Sequence, residues 1–488
     1  MEPWLSNPFD DDKLKEECGI FGAVNVQDAA NFVALGLHAL QHRGQEAGGI
    51  ITYDETRKFQ SAHRFGLVRD NFTSAKLMET LPGSIGIGHV RYSTAGSKGA
   101  TAIRDVQPFF GEFSLGGAAI AHNGNITNAE SIRRELIDRG SIFQSSSDSE
   151  CIIHLMARSI QRSHAERLKD ALRRVEGAFS VIAITRTKLI GVRDRLGVRP
   201  LVLGKIGEGW ALASETCALD IIGAEFVREI EPGEMVVIDK KGVVSSRPFE
   251  RVQPRFCIFE HVYFSRPDSI LGGRSVYETR RQIGVELARE APVEADLVCP
   301  VPDSGTPAAI GYSQESGIPF AMGIVRNQYM GRTFIEPSEQ IRNMGVRLKL
   351  NVNRTLISGK RVVLVDDSVV RGTTSQKIKE MILEAGAREV HFRIASPPTT
   401  WPCFYGVDTP ERSKLLAARM SEDEMRDFIG VDSLKFVSLD GLYRAAGAAA
   451  GRDNAQPQFC DACFSGDYPV APADMIERGF ELKATAAE

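Results

Sequence analysis

The sequence predicts an α+β first half followed by an α/β second half. The first half has many short strands with few helices between them, which favours packed sheets flanked by helices. In the second half, apolar strands alternate with helical segments, a pattern typical of a parallel sheet covered by helices. Ser, Arg and Pro interrupt the strands near 245–254, which indicates a linker. We therefore divide the 488 residues into segments 1–17, 18–248, 249–470 and 471–488.

The composition narrows the possible classes of protein. Apolar residues make up 43% and charged residues 25% of the chain, as in ordinary globular proteins. The net charge of −4 gives no reason to expect a nucleic-acid partner. No apolar run is long enough to cross a membrane, and residues 1–17 lack the basic start and apolar core of a signal peptide. Eight cysteines in a chain of this length argue against a disulfide scaffold, so we expect the reducing cytoplasm.

The elements of the first half follow from local patterns. Residues 1–17 are polar and acidic and are predicted to be an unpacked arm. A buried strand begins at Cys18, and a helix is predicted over 29–41. Further strands are predicted over 85–90, 115–121, 179–185, 189–192 and 235–238, and further helices over 129–139 and 151–160.

Five residues of the first half form a candidate site. Cys18 alone would be read as a core cysteine, because cysteine is among the most buried residue types. Arg91 and Asp148, however, are the pair needed to hold the carboxylate and ammonium groups of a free amino acid. Asn123 and the backbone N–H of Gly124 are the pair needed to hold an oxyanion.

The order and content of these motifs resemble the class II glutamine amidotransferases, whose nucleophile is an N-terminal cysteine. The resemblance spans residues 18–248 and implies an αββα sandwich. It implies that Cys18 is the nucleophile, that Arg91 and Asp148 bind glutamine, and that Asn123 and Gly124 form the oxyanion hole. His42, His89 and His122 are then structural.

A terminal cysteine can use its own α-amino group as the base, because that group has a pKa of about 7.7–8.0. In this chain the nitrogen of Cys18 is bonded to Glu17 and is an amide. We therefore expect residues 1–17 to be a propeptide that is removed before the enzyme is active.

The most informative segment lies in the second half. A predicted strand over 362–365 ends at Asp366 and Asp367, and a helix begins near Ser375. Ligands of parallel sheets bind beyond the carboxyl ends of strands, where loop N–H groups and a helix N-terminus can hold phosphate. Adjacent carboxylates suit ribose hydroxyls or a hydrated Mg²⁺. The loop between strand and helix consists of Ser368, Val369, Val370, Arg371, Gly372, Thr373 and Thr374.

This segment resembles the 5-phosphoribosyl pyrophosphate (PRPP) loop of the type I phosphoribosyltransferases. The resemblance implies that the two acids bind the ribose hydroxyls and that the loop binds the 5-phosphate. A strand over 297–302, the loop from Asp303 to Thr306 and a helix from about Pro307 repeat the plan and would supply a second anion loop, suited to pyrophosphate. Further strands of the parallel sheet are predicted over 320–325 and 390–395.

The segment 332–351 is basic and interrupted. A run of charge is usually a solvated surface. Beside a PRPP motif, we prefer a lid that closes over the substrate and excludes water, with Arg332 and Lys349 as its phosphate contacts.

Cys460 and Cys463 form a C-x-x-C half-site for a metal, with Cys257 and Cys403 as candidates for the other two ligands. The spacing alone leaves four readings open: zinc, an iron–sulfur cluster, a redox pair, or no special role. Ligand type does not separate the first two, because zinc and iron–sulfur clusters both accept four thiolates. The three cysteines that belong neither to this set nor to the thiol site are predicted to be core residues: Cys151, Cys217 and Cys299.

From Cys18 to about Asp467, the chain resembles the amidophosphoribosyltransferases, in particular their propeptide-bearing iron–sulfur branch of the Bacillus type. The resemblance implies that ammonia from glutamine displaces pyrophosphate from PRPP, in the first committed step of purine synthesis. It also implies a homotetramer inhibited by purine nucleotides. The implied metal groups are a 4Fe–4S cluster on Cys257, Cys403, Cys460 and Cys463, and Mg²⁺ carried on PRPP beside Ser304, Asp366 and Asp367.

Two other classes of protein share part of this pattern. Glucosamine-6-phosphate synthase would have a similar first half but sugar-isomerase domains and no Asp-Asp-Ser-Val-Val-Arg-Gly-Thr-Thr segment. A regulator that binds PRPP without chemistry would carry a basic DNA-binding face and a decayed first half. The intact set of Cys18, Arg91, Asn123 and Asp148, together with the negative net charge, favours the enzyme.

Overall fold

The computed structural model describes residues 15–16, 18–54, 56, 58–92, 100–327 and 350–482. Two layered domains follow one another along this part of the chain. The strands of the first are β1 (Lys15–Glu16), β2 (Cys18–Val24), β3 (Ala47–Tyr53), β4 (Phe59–Phe65), β5 (Ile85–Arg91), β6 (Phe109–Phe113), β7 (Gly116–Ile126), β8 (Gly177–Ile184), β9 (Leu189–Arg193), β10 (Val202–Ile206), β11 (Gly209–Ala213), β12 (Glu225–Glu229), β13 (Met235–Asp239) and β14 (Gly242–Ser246). Its helices are α1 (Ala29–Ala39), α2 (Val68–Asn71), α3 (Ala75–Met78), α4 (Ala129–Asp138), α5 (Glu150–Arg158), α6 (His164–Leu172) and α7 (Cys217–Asp220).

The first domain is built from two antiparallel sheets, in the orders β12-β10-β11-β2-β5-β3-β4 and β14-β13-β9-β8-β7-β6. Their inner faces share one apolar core, in which Ile20 and Ile87 meet Ala121 and Ile182. Helices α1 and α7 cover the outer face of the first sheet. Helices α4, α5 and α6 cover the outer face of the second. The predicted αββα sandwich is therefore confirmed.

The predicted elements of this domain lie within a few residues of the observed ones, with two differences. Strand β7 continues through Asn123 and Gly124 to Ile126, so the candidate oxyanion residues lie on a strand. The prediction of an unpacked arm is wrong for Lys15–Glu16, which pairs with residues 407–408. The rest of the predicted propeptide, 1–14 and Glu17, lies outside the described residues.

The second domain has the strands β15 (Phe256–Cys257), β16 (Ile270–Leu271), β17 (Arg274–Ser275), β18 (Leu297–Pro300), β19 (Ile324–Arg326), β20 (Leu350–Val352), β21 (Arg361–Asp366), β22 (Glu389–Ile394), β23 (Val407–Asp408), β24 (Ser433–Phe436) and β25 (Phe459–Cys460). Its helices are α8 (Val276–Glu290), α9 (Thr306–Ser316), α10 (Arg354–Ile357), α11 (Thr373–Glu384), α12 (Glu422–Ile429), α13 (Leu439–Ala445), α14 (Ala462–Ser465) and α15 (Ala473–Glu477). Across the described ranges of both domains, no helix is long and apolar enough to cross a membrane.

Strands β18, β21, β22 and β24 form a parallel sheet in that order. Helices α8, α9 and α13 pack on one face, and α11 and α12 pack on the other. The predicted α/β second half is therefore confirmed. The strand predicted over 320–325 is corrected: Phe320 makes only an isolated bridge to Val298, and β19 pairs with β20 in a separate antiparallel hairpin.

Segments of the second domain reach back to the first. Asn125 Nδ2 donates to the carbonyl oxygen of Phe404 at 2.9 Å. The Asp474 carboxylate accepts hydrogen bonds from the backbone N–H groups of Glu130, at 2.7 Å, and Ser131, at 3.2 Å. Asp474 therefore caps the free N–H groups at the start of α4. Its position in the C-terminal segment 471–488 did not indicate this role.

Candidate functional site

Strand pairing places the predicted nucleophile beside the predicted glutamine-binding arginine. Cys18 begins β2 and lies directly opposite Arg91, the last residue of β5. Only 9% of Cys18 is exposed. A seven-residue strand that is buried along its whole length holds the cysteine at a fixed position in the sheet.

The Arg91 guanidinium is held near two acids without a close hydrogen bond to either. Its Nη1 lies 3.7 Å from Glu46 Oε2, and its Nη2 lies 3.9 Å from Asp105 Oδ2. Among the described residues, Nη1 has no hydrogen-bond partner. A buried guanidinium with an unused donor is suited to bind a carboxylate.

Asp148 is fixed by the strand that carries the candidate oxyanion residues. Its Oδ2 accepts from the backbone N–H of Ile126 at 2.9 Å, and its Oδ1 accepts from Ser149 Oγ at 3.0 Å. Burial lowers the pKa of the nearby His122, whose Nδ1 lies 2.8 Å from Ser149 Oγ. Burial and the charge of Arg91 lower the pKa of His89 to about 3, which keeps that ring neutral.

Asn123 and Gly124 lie side by side near the end of β7. Gly124 has a φ of +141°, and an added Cβ would lie 2.0 Å from the carbonyl oxygen of Ala178, so only glycine fits there. Asn123 Nδ2 lies 3.4 Å from Ser214 Oγ, which also accepts from the backbone N–H of Ile20 at 3.0 Å. Ser214 thus connects the strand of Cys18 to Asn123, and no local pattern singled it out.

In the second domain, the two predicted anion loops meet at Asp367. Ser368 Oγ donates to Asp367 Oδ1 at 2.6 Å, and Ser304 Oγ, from the other loop, donates to Asp367 Oδ2. The backbone N–H of Asp367 donates to Asp366 Oδ1 at 2.9 Å. Both carboxylates are buried at the carboxyl end of β21, where the sequence predicted them.

Glycines let these loops approach closely. An added Cβ at Gly305 would lie 2.3 Å from the carbonyl oxygen of Val365, so the second loop packs directly on the end of β21. Gly372 has a φ of +82° and precedes α11. The helix N-terminus therefore follows the loop directly, as a phosphate site requires. Arg332 and Lys349 lie outside the described residues, so the lid stays a prediction.

Arg280 adds a charge below this site that sequence reasoning missed. It donates to the carbonyl oxygens of His261, at 2.9 Å, and Ser265, at 2.7 Å. Burial lowers its pKa to about 10, with attraction to Asp367 opposing that effect, so it stays charged near neutral pH. The sequence did offer one sign of this buried charge: Arg280 lies on the apolar face of α8, one turn before Ile283.

The four cysteines predicted as ligands lie in one apolar cluster. Cys257 and Cys460 are direct partners across the parallel pair β15–β25. Burial raises the pKa of Cys460 and Cys463, and their interactions with Cys257 and Cys403 raise it further. No disulfide joins the described cysteines. Four thiols in one cluster are a suitable donor set for zinc or an iron–sulfur cluster, although no three of the described His, Cys, Asp and Glu residues are arranged to hold a metal ion.

Asp461, between Cys460 and Cys463, anchors the turn that carries them. Its carboxylate accepts from Tyr443 Oη at 2.8 Å, Ser465 Oγ at 2.7 Å and Arg452 Nε at 2.6 Å. The three cysteines assigned to the core are buried, as predicted: Cys151, Cys217 and Cys299.

Comparisons with known proteins agree with both halves. Residues 95–220 match the family of glutamine amidotransferase domains. The amidophosphoribosyltransferase of Rhizobium etli is 56% identical over 474 residues, which cover 96% of this chain and 95% of that one. That of Bacillus subtilis is 45% identical and covers 94% of this chain and 95% of its own.

Two solved structures also match most of this chain. The glutamine PRPP amidotransferase of B. subtilis, complexed with ADP and GMP, has a TM-score of 0.87 at 43% identity and covers 93% of this chain and 97% of its own. A structure described as the allosteric regulatory enzyme of purine biosynthesis has a TM-score of 0.87 at 44% identity, with 93% and 96% covered.

Fold and site therefore define a glutamine amidotransferase joined to a phosphoribosyltransferase domain. More specifically, the chain belongs to the amidophosphoribosyltransferase family, the enzymes of the first step of purine biosynthesis.

Proposed function

We propose that this enzyme hydrolyses glutamine at Cys18 and passes the ammonia within the protein to PRPP, giving phosphoribosylamine, glutamate and pyrophosphate. The observation that carries the proposal is the contact between the two domains at the candidate oxyanion strand. Gly406 of the second domain packs so closely on Gly124 that an added Cβ would lie 3.0 Å from its Cα. The nitrogen-releasing centre is thus in contact with the domain that consumes ammonia.

In the first half-reaction, the Cys18 thiolate attacks the side-chain amide of glutamine and its own α-amino group takes the thiol proton. Arg91 and Asp148 hold the α-carboxylate and α-ammonium groups of the substrate. The Asn123 side chain and the Gly124 N–H stabilise the negative oxygen of the tetrahedral intermediate. The carbon–nitrogen bond of the intermediate then breaks, and the protonated α-amino group gives its proton to the departing ammonia. Water hydrolyses the remaining thioester, which releases glutamate and restores the Cys18 thiol.

In the second half-reaction, ammonia attacks the anomeric carbon of PRPP as pyrophosphate leaves. Asp366 and Asp367 hold the ribose hydroxyls. The loop from Ser368 to Gly372 holds the 5-phosphate together with Thr373 and Thr374, which the structure places in the first turn of α11. Ser304, together with those acids, would hold the Mg²⁺ that PRPP carries, and its charge would stabilise the departing pyrophosphate. Arg332 and Lys349, which lie outside the described residues, are proposed as further phosphate contacts.

Residues 1–17 are proposed to be removed, so that the nitrogen of Cys18 becomes an amine. We expect enzyme whose intact mass begins at Cys18 to release equal amounts of pyrophosphate and glutamate from PRPP and glutamine. Release of neither product from PRPP with glutamine or with ammonium would contradict the function. Full activity of a chain that still carries Met1 would contradict the propeptide while leaving the function in place.

We further propose a structural 4Fe–4S cluster on Cys257, Cys403, Cys460 and Cys463, supported by the place of all four in one apolar cluster and by the pairing of Cys257 with Cys460. Protein purified without oxygen should contain four iron and four sulfide per chain, and Cys460→Ser should lower both and lower the melting temperature by several degrees. Cys299→Ser, a buried cysteine outside the set, should keep the iron. Stoichiometric zinc without iron would overturn the assignment.

Regulation is proposed from the names of the solved relatives, and assembly from the family resemblance alone. We infer that purine nucleotides inhibit the enzyme, which titration of ADP and GMP into the pyrophosphate assay would test. We also infer a homotetramer, which sedimentation would test. A site that depends on reduced thiols fits the cytoplasm.

A further inference from the structure

Four charged side chains are fully buried where the two domains meet. Arg43, Arg199 and Glu215 come from the first domain and Glu260 from the second, and each is 0% exposed. Buried charges are costly unless they are paired and hydrogen-bonded, and loss of one partner leaves the other uncompensated. The two half-reactions described above use none of these four residues.

Glu260 is the centre of this group. Its Oε2 accepts from Arg43 Nη2 at 2.7 Å and from Ser265 Oγ at 2.6 Å. Its Oε1 accepts from Arg199 Nη1 at 3.0 Å. The two arginines are far apart in sequence, so this one carboxylate joins two separate parts of the first domain.

Arg43 packs against the residue next to the nucleophile. An added Cβ at Gly19 would lie 3.3 Å from Cδ of Arg43, so this side chain packs directly behind the residue that follows Cys18. The next residue, Gly44, packs on the backbone of Arg91. A Cβ added to Gly44 would lie 2.7 Å from the backbone N of Arg91. Displacement of Arg43 would therefore disturb both the nucleophile and the predicted glutamine-binding arginine.

Arg199 reaches the oxyanion residues. Its Nε donates to the carbonyl oxygen of Tyr405 at 2.8 Å. The following residue, Gly406, lies between Arg199 and Gly124: an added Cβ there would lie 3.1 Å from Arg199 Nη2 and 3.0 Å from Gly124 Cα. Arg199 thus holds the segment that packs against Gly124.

We propose that Glu260 is a positioning residue for the thiol centre. Together with Glu215, which accepts from Arg43 Nε, its carboxylate holds Arg43 against Gly19, the residue after Cys18. The same carboxylate holds Arg199 against the segment that packs on Gly124, and so fixes the nucleophile relative to the oxyanion hole. Arg280 anchors the turn that carries Glu260 through its bonds to His261 and Ser265. The inference rests on the proposed roles of Cys18 and Gly124.

The test is Glu260→Gln, which keeps the size of the side chain and removes its charge. We expect glutamine-dependent pyrophosphate release to fall about 10- to 100-fold, because small misplacements of reacting groups cost rates of this order. Ammonium-dependent release should stay within about twofold of wild type. The matched control is Glu286→Gln, in a pair with Arg444 inside the second domain, which should leave both rates nearly unchanged.

A second readout is the rate at which a glutamine-analogue diazoketone alkylates Cys18, followed by mass spectrometry. It should fall in Glu260→Gln by a factor similar to the glutamine-dependent rate. Equal loss of the glutamine and ammonium activities, or unchanged alkylation, would overturn the inference. A wild-type enzyme that is alkylated at Cys18 but releases no pyrophosphate would instead contradict the proposed function, while the alkylation rates still test Glu260.

If Glu260→Gln does not fold, Ser265→Ala gives a milder version of the test. It removes one donor to the Glu260 carboxylate and a long contact at 3.3 Å from Arg43 Nη2, and leaves the direct bonds of both arginines to Glu260 in place. We expect a drop of about threefold in alkylation and in the glutamine-dependent rate only, because the net contribution of such hydrogen bonds is small. Wild-type values for both would count against Glu260.

Discussion

Replacement of Cys18 by alanine is expected to abolish the glutamine-dependent reaction and to spare the ammonium-dependent one. Loss of a covalent nucleophile lowers turnover by about a thousandfold or more. The backbone pairing of residue 18 with Arg91 does not require the thiol, so β2 and the second domain should be unchanged. Pyrophosphate release, measured with glutamine and then with ammonium chloride, checks the difference.

The variant is best made in a chain that lacks residues 1–17, so that failed processing is not mistaken for loss of the thiol. Cys151→Ala is the matched control, because that cysteine is also buried in the first domain but packs against α4 and β7. It should keep the wild-type ratio of the two activities. Loss of both activities in Cys18→Ala would contradict the division into two centres.

Much of this site could be predicted from sequence because its residues lie in compact motifs. Asp366, Asp367 and the loop after them follow one buried strand, and a strand followed by a glycine-containing loop and a helix is a local pattern. The strand that begins at Cys18 is likewise apolar along its length, so its burial was predictable. The structure of such elements is determined by residues that are close to one another in the sequence.

The parts that sequence reasoning missed depend on contacts between distant segments. Ser214 joins Ile20 to Asn123. Glu260 joins Arg43, which is 217 residues away in sequence, to Arg199, which is 61 residues away. The residues next to a buried serine or glutamate in the sequence do not indicate which distant residue it will contact. The short apolar run at 320–325 was assigned to the parallel sheet for the same reason, because only the fold shows that β19 pairs with β20.

Asp367→Asn is expected to lower pyrophosphate release by about a hundred- to a thousandfold with either nitrogen source, the range seen when one preorganised electrostatic group is removed. Asp367 accepts hydrogen bonds from Ser304 and Ser368, and an amide has only one oxygen to offer them. The substitution also removes a negative charge that interacts with Arg280. Both anion loops should therefore lose their common acceptor.

This variant is the counterpart of Cys18→Ala, since the thiol centre should be unaffected and Cys18 should react with the glutamine analogue within about twofold of the wild-type rate. Asp432→Asn is the control, because Asp432 accepts from the backbone N–H of Val390 near the start of β22, at the amino ends of the strands and away from the pocket at their carboxyl ends. Its effect should be confined to stability. If Asp367→Asn kept wild-type turnover with ammonium, the diacidic pocket would not be the place where PRPP reacts.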